Sequence, residues 1–138
     1  DLSVSTSYKL GDTVITGITP GTGASSVLAN ISAGSGTVKV LKADGTENTG
    51  AVGTGNKIAV YANGTLVKQY DVVIYGDING DGKISVVDLV MMQKQILGTS
   101  QLSGAYAAAA DISRDGKVSV KDLVLLQKHI INAAQIEQ

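Results

Sequence analysis

The sequence predicts an α+β protein of two modules, a small β-rich module over residues 1–75 and an all-α module over residues 76–138. Short runs of β-forming residues alternate with turn signals in the first part, whereas apolar residues recur at helical spacing in the second. The second part is also an internal repeat. Because no Pro/Ser/Gly-rich linker separates the two parts, we expect a stiff junction with a shared interface.

Composition excludes several classes of protein. The chain has 138 residues, of which 11 are basic and 12 acidic, for a net charge of −1. It therefore has no basic patch for nucleic acid or an anionic membrane, and no apolar stretch near the roughly 20 residues that span a bilayer. Since it contains no cysteine, disulfides cannot stabilise these small modules, and a bound metal ion is the remaining common device.

The first module is predicted to contain four strands and one helix. Asn63-Gly64 lies between two β-forming runs and predicts a hairpin, because both turn residues tolerate positive φ. Ser25–Ile31 is predicted to form a short helix capped by Ser25 or Ser26. These elements fit either a sandwich or a β-grasp-like sheet with one helix, and the sequence does not decide between them. The predicted strands are Thr13–Ile18, Thr37–Leu41, Lys57–Tyr61 and Leu66–Ile74.

The second module is predicted to be helical because its apolar residues recur at steps of three and four, which places them on one helical face. Gly104–Ala110 lies between the two periodic segments and is rich in alanine, the strongest helix former. We therefore expect three helices in this module. The two periodic faces consist of Leu89, Met92 and Ile96 and of Leu123, Leu126 and Ile130.

A twelve-residue unit occurs twice, at Asp77–Asp88 and, 34 residues later, at Asp111–Asp122. Oxygen-bearing side chains stand at positions one, three, five, nine and twelve, with glycine at position six. This spacing is typical of a loop that wraps around Ca²⁺, which takes six to eight oxygen ligands. The predicted ligands are Asp77, Asn79, Asp81, the carbonyl of Lys83, Ser85 and Asp88 in the first loop, and Asp111, Ser113, Asp115, the carbonyl of Lys117, Ser119 and Asp122 in the second.

The alternative interpretation is a pair of solvated Asp/Gly turns, each followed by a helix. Three carboxylates packed together without a cation would repel one another, which favours the metal site. Position twelve is aspartate in both loops, where the common EF-hand loop has glutamate. The hydroxyl of Ser113 is a poorer ligand than the amide of Asn79, so the second site is expected to be weaker. Ile84 and Val118, at position eight, are expected to pair as a short two-stranded contact.

This duplicated loop and helix, with aspartate at position twelve and no entering helix, resembles a dockerin over residues 76–138. The resemblance implies two Ca²⁺ ions and a cohesin partner on a scaffoldin or cell-surface protein, within a secreted, cellulosome-like complex for polysaccharide degradation. Residues 1–75 resemble the X-type modules that often precede dockerins. The chain opens at Asp1 without a signal segment, so we expect it to be a fragment of a larger secreted protein.

The resemblance also implies a partner surface, formed by positions ten, eleven, seventeen and eighteen of each unit. Many dockerins carry Ser-Thr at positions ten and eleven, whereas this chain has Val-Val and Val-Lys, so its cohesin is expected to prefer an apolar contact. The alternative is that the valines cover the module's own core. The predicted surface consists of Val86, Val87, Gln93, Lys94, Val120, Lys121, Gln127 and Lys128.

Two other classes of function compete with docking. A calcium sensor needs a helix on both sides of each loop, and the β-branched segment before Asp77 is strand-like. An enzyme or a carbohydrate-associated module would need a site in the first half, where no paired carboxylates, phosphate loop or histidine-based metal set occurs. The single histidine, His129, is expected to be a surface or rim residue rather than a catalytic base. We therefore expect a non-catalytic binding module that is monomeric when unbound.

Overall fold

The computed structural model describes residues 3–138, so Asp1 and Leu2 of the predicted first module lie outside it. Within this range the first half contains short strands and one helix, α1 (Ala24–Ala29), and the second half contains only helices. The α+β class with two modules is confirmed. The strands are β1 (Ser5–Thr6), β2 (Lys9–Leu10), β3 (Val14–Thr16), β4 (Ile31–Ser32), β5 (Thr37–Leu41), β6 (Lys57–Ala62) and β7 (Thr65–Val72).

The four predicted strands correspond to β3, β5, β6 and β7, and β5 has the predicted bounds. The hairpin between β6 and β7 is confirmed, with Asn63 at φ 52° and Gly64 at φ 79°. The predicted cap of α1 is wrong, because Gly23 is its N-cap and the helix ends before Ile31. The amide of Ala24 donates to the Gly50 carbonyl at 2.8 Å, so a tertiary contact rather than a serine side chain fixes where this helix begins.

The strands form one mixed sheet in the order β2-β3-β7-β6-β5, in which β3 and β7 are parallel and the other neighbours antiparallel. A second ladder pairs β1 with β4. The two predicted alternatives were a sandwich and a β-grasp-like sheet with one helix. The structure has features of both, since a five-stranded sheet is accompanied by one helix and by a separate two-stranded ladder. Its core contains the fully buried side chains of Ile15, Val27, Val40, Ile58 and Val72.

The second half contains α2 (Val86–Leu97), α3 (Gly104–Ala110) and α4 (Val120–Ile130). Ile78, Met92 and Leu126 are fully buried at its centre, and the other members of both predicted faces pack against them. The three predicted helices and their apolar faces are therefore confirmed. No helix in the described residues is long and apolar enough to cross a membrane.

The two halves contact each other closely, as the absence of a linker predicts. Ile74 lies in the first core and Ile78 in the second, so only a few residues separate them. The amide of Gly21 donates to the Gly82 carbonyl at 2.9 Å, which joins the β-rich half to the first loop. At the other end of the chain, the side chain of Gln138 hydrogen-bonds the backbone amide and carbonyl of Tyr75 at 2.7 and 2.9 Å.

Candidate metal centres

The first loop gathers three carboxylates at one point. Single oxygens of Asp77, Asp81 and Asp88 lie within 4.8 Å of one another. Asp77 and Asp88 are fully buried, whereas Asp81 is exposed. The backbone explains this geometry, because the amide of Gly82 donates to Asp77 Oδ2 at 3.0 Å, and Gly82 adopts φ 83°, a conformation that costs glycine little. The chain thus turns back on itself around the carboxylates.

Asp88 connects the start of the loop to its end. Its Oδ1 accepts from the amides of Ile78 and Asn79 at 2.8 and 3.0 Å, and its Oδ2 accepts from the amide of Ser85 at 2.9 Å. Ser85 and Asp88 form the capping box of α2, so the residue at position twelve lies in the first helical turn. Its short side chain reaches the cluster because the helix begins directly beside it.

The second loop repeats this arrangement with fewer buried groups. Single oxygens of Asp111, Asp115 and Asp122 lie within 4.8 Å of one another. Asp122 is fully buried, Asp111 is half-buried and Asp115 is exposed. Asp122 accepts from the amides of Ser113 and Ser119 at 2.7 and 2.9 Å, as Asp88 does from the matching residues of the first loop.

The charges of the first cluster are costly in the absence of a cation. Burial, together with the nearby carboxylates of Asp88 and Asp81, raises the pKa of Asp77 to about 6. Burial also raises the pKa of Asp88. In the second loop the pKa of Asp115 is lowered instead, chiefly because the Lys117 amide donates to its carboxylate. The first cluster therefore gains most from a bound positive charge.

Two unpartnered atoms indicate where a cation fits. Asp77 Oδ1 and Ser113 Oγ are buried side-chain oxygens without a hydrogen-bond partner in the described residues. A buried polar atom without a partner costs about 1–3 kcal/mol, so such atoms call for a ligand. One lies in each loop, beside the clustered carboxylates. Hard oxygen donors of this kind suit Ca²⁺, so the residues present fit the ion that the sequence predicts.

Two predictions about the loops require correction. Ile84 and Val118 do not pair as strands, although both pack on the second core. The neighbouring amides donate to the loops' own carboxylates, as the Ser85 amide does to Asp88, and so take no part in a ladder. The absence of an entering helix holds only for the first loop, because α3 ends at Ala110, directly before Asp111.

The predicted partner surface is exposed throughout. Val86, Val87 and Val120 are 58%, 54% and 60% exposed, so they do not cover the core. Sequence reasoning missed Leu97 and Ile131, which are 76% and 72% exposed at the ends of α2 and α4. These two occupy matching positions of the repeat, and that equivalence was the signal that could have identified them. Gln93, Lys94, Lys121, Gln127 and Lys128 are also exposed.

The single histidine and two of the tyrosines have structural partners. His129 is half-buried, and its Nδ1 accepts from the Ile136 amide at 3.1 Å. Tyr70 is buried, and the Arg114 guanidinium lies 3.9 Å from the centre of the Tyr75 ring. Sequence reasoning also missed Thr54. Its amide donates to Asp77 Oδ2 at 2.9 Å from the β-rich half, a contact that no sequence motif marks.

Comparisons with known proteins found a matching family model and similar solved structures. Residues 75–131 match the family model described as the dockerin type I domain. Two similar solved structures contain the third cohesin ScaC in complex with mutants of the ScaB dockerin from Acetivibrio cellulolyticus, displaying a type I interaction. The first is 25% identical over 47% of this chain and 92% of the matched chain, with a TM-score of 0.44. The second is 26% identical over 47% and 96%, with a TM-score of 0.43.

No curated protein matches the chain. The family match stands on the part of the chain that carries both loops, α2 and α4. Residues 75–131 are therefore similar to the dockerin type I domain, and a β-rich module precedes them.

Proposed function

We propose that this chain is a calcium-dependent docking piece that binds a cohesin domain and so attaches its parent protein to a secreted, cellulosome-like assembly. The observation that carries the proposal is the pair of carboxylate clusters within a dockerin-type repeat. The β-rich module spans residues 1–75 and the dockerin module residues 76–138, with the boundary between the last buried residues of β7 and the first loop.

Each loop binds one Ca²⁺ in this proposal. Asp77 Oδ1 and Ser113 Oγ, the unpartnered buried oxygens, support the assignment. The ion supplies positive charge that holds the ends of each loop together, while Asp88 and Asp122 connect the loops to the helices that follow. The ligands are those predicted from the spacing, with Lys83 and Lys117 contributing backbone carbonyls so that their side chains stay in solvent.

The cohesin contacts the exposed face formed by the N-terminal turns and outer residues of α2 and α4. Apolar residues exposed beside a polar loop favour a partner surface, and Val86, Val87 and Val120 are all more than half exposed. Leu97 and Ile131 extend this face toward the ends of the helices. The face is nearly two-fold symmetric, because each residue of one unit has its counterpart in the other.

A calcium sensor remains the second candidate only because α3 and α4 flank the second loop. The first loop follows a turn at Tyr75-Gly76 instead of a helix, and its backbone is bound to the β-rich half through Gly21 and Thr54. A loop held in this way cannot open as sensor loops do. Docking without opening is therefore the better account.

The test is binding to a panel of cohesins, measured by calorimetry with calcium and again with a chelator. We expect at least one cohesin to bind with calcium and none with chelator. The control variant Leu66→Asp with Val67→Asp changes two residues of β7 that are 47% and 48% exposed, and it should bind normally. Calcium-independent binding, or binding to no cohesin, would contradict the proposal.

The symmetry of the face predicts two binding modes. One variant carries Val86→Asp with Val87→Asp, a second carries Val120→Asp with Lys121→Asp, and a third carries all four changes. Each half-variant should keep most of its affinity, because the intact half takes over after a half-turn, and only the fourfold variant should lose binding. The two modes should differ in strength, because position eleven is the apolar Val87 in the first unit and the charged Lys121 in the second. Loss of binding in either half-variant alone would leave a single mode.

A further inference from the structure

The segment at residues 51–55 of the β-rich module lies directly against the first loop. A Cβ built on Gly53 would overlap the Gly80 carbonyl oxygen, and one built on Gly82 would lie 2.8 Å from the Val52 carbonyl oxygen. Real side chains essentially never approach so closely. The two backbones are therefore packed without room for a methyl group at their contact, and the first loop cannot shift without disturbing the other module.

Thr54 is the residue of this segment that contacts the metal cluster. Its amide donates to Asp77 Oδ2 at 2.9 Å. Its own position is fixed, because Thr54 Oγ1 accepts from the Ile74 amide at 3.0 Å and donates to the Ile74 carbonyl at 3.2 Å, and the residue is 2% exposed. The amide that orients Asp77 is thus held by the end of the chain segment that leads into the first loop.

The second loop has no such contact. Asp111 accepts only from amides of its own loop, Asp115 at 3.2 Å and Gly116 at 2.9 Å, among the hydrogen bonds of the described residues. A Cβ built on Gly116 would meet nothing within 4 Å, whereas one on the matching Gly82 would overlap the β-rich module. The two loops have nearly the same sequence but different surroundings. The β-rich module donates to a carboxylate of the first loop, whereas among the described residues it meets the second loop at Arg114, whose guanidinium lies 3.9 Å from the centre of the Tyr75 ring, and not at a carboxylate.

We propose that Thr54 is a positioning residue of the first calcium site, and that through it the β-rich module raises the calcium affinity of this site but not of the second. The inference rests on the proposed calcium binding. The amides of Thr54 and Gly82 both donate to Asp77 Oδ2, so the carboxylate is oriented before the ion arrives and Oδ1 is left without a protein partner. Because linkage is reciprocal, calcium at the first loop also strengthens the contact between the modules.

The test compares two glycine substitutions in the same segment of the full chain. Neither Gly50 nor Gly53 has a positive φ, and a Cβ on Gly50 would make only an ordinary contact at 3.7 Å. Calcium titrations followed by the NMR amide signals of Gly82 and Gly116 report the two sites separately. We expect Gly53→Ala to weaken the first site about tenfold or more, as loss of an orienting partner does, with the second site unchanged. Gly50→Ala should leave both sites unchanged.

A second measurement leaves the glycines of the 51–55 segment unchanged. Hydrogen exchange at the Thr54 amide should be slowed by calcium in the wild-type chain and in Asp111→Ala, but not in Asp77→Ala. Equal calcium protection of the Thr54 amide in the two aspartate variants would overturn the inference. So would a Gly53→Ala chain whose first site binds calcium normally. Neither result would contradict cohesin docking. A wild-type chain that binds no calcium at either loop would overturn the proposed function as well.

Discussion

Removal of calcium should unfold the helical half of the chain and spare most of the β-rich half. The loops hold clustered carboxylates that repel one another until a cation binds, and Asp77 and Asp88 are fully buried. Among the described residues, the core beneath them contains just three large, fully buried side chains, Ile78, Met92 and Leu126. A metal site that does not exist in the unfolded chain contributes its binding free energy to folding. Helicity should therefore fall with added chelator and return with excess calcium.

The size of the effect follows from mass action. At a free calcium concentration of 100 times the dissociation constant, each site contributes about 2.7 kcal/mol to the free energy of unfolding, and two sites about 5 kcal/mol. That matches the low end of the roughly 5–15 kcal/mol that stabilises a whole domain. Helices α2, α3 and α4 contain 12, 7 and 11 residues against 6 in α1, so most of the helical signal should disappear.

Circular dichroism with chelator, and again after calcium is restored, is the assay. Magnesium at the same concentration is the control, because it keeps its own waters and should restore less helicity. The NMR signals of the β-rich half should largely persist in chelator. Unchanged helicity after chelation would refute the reasoning, since the clusters would then be tolerated without a cation.

Three further outcomes are expected. Asp77→Ala should remove the tighter site and Asp111→Ala the weaker one in calorimetric titrations, and the reverse order would show that the ranking is wrong. Burial raises the pKa of Asp77 to about 6, above its value in the unfolded chain. Without calcium, the contribution of Asp77 to the free energy of unfolding is present at acidic pH and lost as pH rises through about 6. Calcium affinity should rise over the same range, because the ion binds the ionised carboxylate. Denaturant titrations without calcium and calcium titrations, each at several pH values, check the two directions. Met92→Ala should lower the free energy of unfolding with calcium bound by about 2–5 kcal/mol, whereas Val90→Ala, at a position 41% exposed, should change it by less than about 0.5 kcal/mol in denaturant titrations.

The second half was largely predictable because its signals are local. The spacing of Asp77, Asp81 and Asp88 fixes which oxygens can meet within one turn of chain, and the structure brings them within 4.8 Å. The helical faces around Met92 and Leu126 follow from a period of three to four residues, which needs no knowledge of distant segments. The β-rich half was harder, because strands as short as β1 and β2 carry too few residues to show alternation.

The sequence by itself determined the repeat, the clustering of its acidic residues and the helices, since each depends on residues close together in the chain. Only the tertiary structure decided that the two loops are unequal in their surroundings. Thr54 reaches Asp77 from 23 residues away, and Gly53 and Gly82 matter because two backbones meet there. Such contacts depend on how the modules pack against each other, and the sequence of a loop does not specify which distant segment packs against it.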